Sequence, residues 1–209
     1  MVLAPAAAAA ALDDAERERA DALARHVPWA DAPADGNALP RARAKADGGP
    51  HALGVQTLVI ENETRKGAPL GRRRARVYQH DHATGRTRRV LVDLPAGVAL
   101  ESLPLASPHL PLNDAERRWA LGRLAGDRGL LERLRDEQRR HGKMPFGSLD
   151  ELDVKASVFE PTDLAHPCAG ERCALLSLFD ETRTVFALEP LVRFADGTVE
   201  TLGASLGGR

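Results

Sequence analysis

Apolar residues recur at helical spacing in two places. Leu12, Ala15, Ala20, Leu23 and Ala24 mark one face of a helix from Leu12 to about His26, carried mostly by alanine. A bulkier face begins at Leu112 and continues through Trp119, Leu121 and Leu124. Gly126-Asp127-Arg128-Gly129 interrupts it, and Leu130, Leu131 and Leu134 resume it to about His141. Both helices open with capping residues, Asp13 or Asp14 in one and Asn113 or Asp114 in the other. Val27-Pro28 ends the first. Each helix is followed by short segments of strand character. In the first half these are Val55 to Glu61, Arg74 to His80, Thr87 to Leu94 and Val98 to Leu103. In the second they are Leu152 to Glu160, Arg172 to Phe179, Thr184 to Leu188 and Leu191 to Leu202, with a tight turn at Asp196-Gly197. Between Arg74 and His80 the apolar residues divide between both faces, so the pattern leaves open which face is buried.

The halves echo one another. Leu12-Asp13-Asp14-Ala15-Glu16-Arg17 is answered 100 residues later by Leu112-Asn113-Asp114-Ala115-Glu116-Arg117. Val59-Ile60-Glu61 answers Val158-Phe159-Glu160, His80-Asp81 answers Phe179-Asp180, and Val92 to Gly97 answers Val192 to Gly197. Landmarks in one order at near-constant offset predict two copies of a helix-then-strands unit. The predicted class is α+β, with two tandem cystatin-like units, each a helix packed on an antiparallel sheet. The units are expected at 12–105 and 112–205. Within the first, 28–50 is linker-like, rich in Pro, Gly, Ala and Asp without periodicity. Three prolines between Ser102 and Leu112 suggest the linker between units.

Composition narrows the function. Of 209 residues 43% are hydrophobic, enough for ordinary cores, and a net charge of −1 gives no global pull toward nucleic acid or anionic membranes. No apolar run is long enough to span a membrane. The alanine strip from Ala6 to Ala11 is read as the trailing end of a removed export signal behind an added methionine, the alternative being an unstructured tail. No phosphate-binding loop, dinucleotide fingerprint or Gly-x-Ser-x-Gly elbow occurs.

Three constellations could carry chemistry. His80 and His82 project to one side of an extended strand and could share a metal ion, although Phe179-Asp180-Glu181 at the matching place in the other half favours a polar hairpin end. Cys168 and Cys173 match no standard zinc spacing. They form a disulfide if the chain is exported, and two thiols otherwise. Arginines 72, 73, 74, 76, 86, 88 and 89 crowd one hairpin that could meet an anionic partner, but aromatics for stacking on single-stranded nucleic acid are missing around it.

Arg72-Arg73-Arg74-Ala75-Arg76-Val77-Tyr78-Gln79-His80-Asp81, with the glycine turn and Val-rich return strand, resembles the second N-terminal domain of copper-containing primary-amine oxidases. Leu110-Pro111-Leu112 with its acidic helix start, the Gly126-Asp127 break and Val158-Phe159-Glu160 resemble the third. The resemblance spans roughly Leu12 to Leu202. It implies two small α+β domains that, in the family, precede a large catalytic domain. That domain supplies copper, held by three histidines, and a quinone made from tyrosine. Tyr78, the only tyrosine, lies inside a strand without the required Asn-Tyr-Asp/Glu setting, so no catalytic residue and no cofactor carries over. The function expected is a non-catalytic accessory or interaction protein, periplasmic or secreted, binding a protein partner or another copy of itself. The alternatives are a non-catalytic subunit or fragment of a split amine oxidase shaping substrate access, and a periplasmic module for a small ligand or metal centred on His80 and His82.

Overall fold

Residues 11–29, 53–63, 73–106 and 109–202 are described by a computed structural model. The architecture is α+β, with two four-stranded antiparallel sheets. The described residues group into two units, one of 11–29, 57–63, 73–80 and 86–106, the other of 53–56, 81–85 and 109–202.

In the first unit, α1 (Asp14–Arg25) starts at a reciprocal cap. Asp13 accepts the Glu16 amide at 2.8 Å while Glu16 accepts the Asp13 amide at 3.0 Å. The meander β1 (Val55–Asn62), β2 (Arg74–Asp81), β3 (Arg86–Asp93) and β4 (Val98–Leu105), which falls in this unit from Thr57 to His80 and from Arg86 on, follows in sequence order. Ala20 and Ala24 of α1 pack with Ala75, Val77, Val90, Val92 and Leu94. The buried face of β2 is therefore that of Ala75, Val77 and Gln79, which resolves the ambiguity in the sequence pattern. Small alanines let helix and sheet approach closely, but they bury little area, so this core gains less from apolar burial than a leucine core would.

A buried arginine stiffens it. Arg88 donates to Gln79 Oε1 at 2.8 and 3.0 Å, and to the carbonyls of Ala24, Val27 and Pro28 at the end of α1. A cation there answers the partial negative charge of the helix C-terminus, and the Trp29 ring lies 4.1 Å from the guanidinium carbon. Strand β4 runs on through Pro104, so Ser102 to Leu105 belong to the sheet and not to a linker. A proline is tolerated there because β4 is the edge strand of the sheet among the described residues, with no strand partner on one side of its backbone.

The second unit holds α2 (Asp114–Gly126), α3 (Arg128–Arg140), and strands β5 (Asp153–Val158), β6 (Cys173–Phe179), β7 (Glu189–Arg193) and β8 (Val199–Leu202) in a second meander. The break between the helices is a single residue, Asp127, whose side chain accepts the Leu130 amide at 3.0 Å and so restarts the chain as a helix. Leu124, Leu130 and Leu134 pack onto Leu176, Leu178, Val192 and Phe194. This core is built from larger side chains than the first.

One predicted strand is not there. Thr184 to Leu188 makes only an isolated bridge, Phe179 with Val185, and the strand after β6 is Glu189–Arg193. Asp180 explains part of this. Its Oδ1 accepts the amides of Thr182 and Thr184 at 2.9 Å each, curling the segment, and Arg183 takes a left-handed φ of 61°. Further on, the amides of Ala187 and Leu188 donate to the Glu137 carboxylate of α3 and not to a neighbouring strand. The expected linker at 28–50, the N-terminal alanine strip and residues 203–205 of the expected second unit lie outside the described residues, apart from Pro28 and Trp29.

Candidate functional site

The densest group of buried ionisable side chains in the second unit forms around Glu116, in the first turn of α2. The sequence puts it there because an Asn-x-x-Glu start is a capping box: Asn113 accepts the Glu116 amide at 2.9 Å, and Glu116 Oε2 accepts the Asn113 amide at 3.0 Å. Arg172, just before β6, donates from Nε to Oε1 at 2.6 Å and from Nη2 to Oε2 at 2.8 Å. It also donates to the carbonyls of Leu110 and Pro111 at 2.6 and 2.8 Å. His82 brings Nε2 to 3.0 Å from Glu116 Oε1. The side chains of Glu116, Arg172 and His82 are 0%, 1% and 1% exposed. His82 lies against Phe194, with ring centroids 5.2 Å apart, and Trp119 stacks on the same ring.

Burial by itself would raise the Glu116 pKa. The hydrogen bonds from Arg172 and His82, and the charge of the Arg172 guanidinium, overcome it and hold the group at about 2. The carboxylate thus stays ionised, and it receives four donors: two from Arg172, one from His82 and one from the Asn113 amide. A carboxylate has about four lone-pair sites, so none is left to take a substrate proton or a metal. The arrangement can clamp the start of α2 to the strand that follows Arg172. It is not built for acid–base catalysis.

The first unit carries the same clamp at matching positions. Arg73, just before β2, donates to Glu16 Oε1 and Oε2 at 2.6 and 2.7 Å and to the Ala11 carbonyl at 2.6 Å. Glu16 likewise sits in its capping box and is held at about 2, chiefly by the Arg73 hydrogen bonds. Further pairings recur. The Leu94 amide meets the Arg73 carbonyl as Phe194 meets Arg172, and the Gly97 amide meets Asp93 as Gly197 meets Arg193. The difference is exposure: the Arg73 and Glu16 side chains are 26% and 25% exposed.

The structure places each of the sequence-predicted residues among the described ones except Arg72. His80, in β2, is buried with Nδ1 2.9 Å from Thr87 Oγ1, and His82 is committed to Glu116. Among the described residues no group of three or more His, Cys, Asp or Glu is arranged to hold a metal ion. Cys168 and Cys173 are joined by a disulfide, their Cα atoms 5.8 Å apart, with both sulfurs buried beside Leu191, Phe159 and Leu202. Of the hairpin arginines, Arg73 faces Glu16, Arg74 faces Asp93, Arg76 faces Glu63 and Arg89 faces Glu101, whereas the Arg86 and Arg88 guanidiniums lie over the Trp29 ring. Tyr78 donates to Glu61 at 3.2 Å; its pKa is raised, by burial first and by the Glu61 charge next.

Sequence reasoning missed three features: the Glu116 clamp, the buried Arg88 and the exposed edge of the first sheet. On β4, Val98, Leu100 and Leu103 are 46%, 46% and 39% exposed. Leu100 is the extra residue of a bulge, since Leu91 pairs with Glu101 and Val92 with Ala99. Among the described residues no helix is long and apolar enough to cross a membrane. No protein-family model matches the chain, and no curated protein matches it.

Proposed function

We propose that this chain is a non-catalytic interaction protein made of two tandem cystatin-like units, akin to the second and third N-terminal domains of copper-containing amine oxidases, acting outside the cytosol. The observation that carries the interaction role is the β4 edge. It offers backbone groups that have no strand partner among the described residues, and three large apolar side chains to solvent, the chemistry by which a sheet edge takes another polypeptide. The bulge at Leu100 and Pro104 restrict how such a partner can pair, which favours side-chain contact at Val98, Leu100 and Leu103 over a full added strand. The paired clamps, Glu16 with Arg73 and Glu116 with Arg172, support the tandem reading, since one contact set recurs at a spacing of about 100 residues. The disulfide between Cys168 and Cys173 supports an oxidising compartment.

The interaction role is tested by affinity capture from extract of the native host, with the chain and its Leu100→Arg variant as parallel baits. A protein, or a second copy of the chain, captured by the parent and lost from the variant supports it. Equal capture by both, or by neither, overturns it.

A further inference from the structure

We draw no further inference here: the strongest candidate, the open groove of about 350 Å³ in the second unit where Arg123, Arg128 and the start of α3 face the turn between β7 and β8, is a helix N-terminus already capped by Asp127, and nothing among the described residues shows a ligand held there.

Discussion

Glu116→Gln removes the charge at the centre of the second clamp while keeping its shape. A carboxyl held at about 2 against an ordinary 4.5 favours its charged form in the folded state by about 3 kcal/mol. The variant also leaves Arg172 buried without its counter-ion, and breaking buried pairs in this way costs roughly 3–5 kcal/mol. The second unit is therefore expected to lose about 3 kcal/mol of stability at neutral pH. Glu16→Gln should cost the first unit distinctly less, because water reaches that pair and screens it. Urea titrations followed by Trp119 in a Trp29→Phe background, and by Trp29 in a Trp119→Phe background, separate the two units. The pH dependence has a fixed sign. Glu116 has a lowered folded pKa, so its contribution is complete above pH 4.5 and is lost as the pH falls toward 2. The gap between parent and Glu116→Gln should close over that window. Equal losses in the two units, or a Glu116→Gln gap independent of pH below 4.5, would refute the clamp as the dominant electrostatic feature.

Three other outcomes follow from single contacts. Arg183→Gly relieves a left-handed backbone that costs a side-chain-bearing residue roughly 1–2 kcal/mol, less the entropy glycine adds to the unfolded chain; a gain below about 1 kcal/mol is expected in the same urea titration, and a loss would mean that the arginine side chain holds the turn. Glu137→Ala strips the acceptor from the Ala187 and Leu188 amides, with an expected cost of about 1–3 kcal/mol and faster amide exchange at those two positions; unchanged exchange would refute the contact. Thiol titration of unreduced, denatured protein should find no free thiol, and the Cys168→Ala, Cys173→Ala variant should lose about 2 kcal/mol for so short a loop; two titrating thiols would remove the argument for an oxidising compartment.

The sequence made the helix starts readable because capping is local: Asp13 and Glu16, or Asn113 and Glu116, stand three residues apart and need no knowledge of the fold. The strands of the first half were readable for a similar reason, since β-branched runs and glycine turns mark them directly. What lay 56 residues away was not. Nothing local ties Arg172 to Glu116, yet a signal existed, because Arg73 and Arg172 occupy corresponding places in the two halves, as Glu16 and Glu116 do. Two charge-opposite residues repeated together are a hint that they meet. Thr184 to Leu188 misled because its β-branched composition is overridden from elsewhere, by Asp180 curling the backbone and Glu137 taking its amides. Arg88 reads like its hairpin neighbours, because sequence alone cannot show that three helix-end carbonyls wait for it.

The proposed interaction role is tested most directly by photo-crosslinking in the native host, with a photoreactive phenylalanine analogue in place of Leu100 on β4. The same analogue in place of Met144, which is 89% exposed and outside the strand, serves as the control. A discrete adduct is expected from the Leu100 position, containing a second protein or a second copy of the chain, and none above background from the Met144 position. No adduct from Leu100, or the same adducts from both positions, would contradict it.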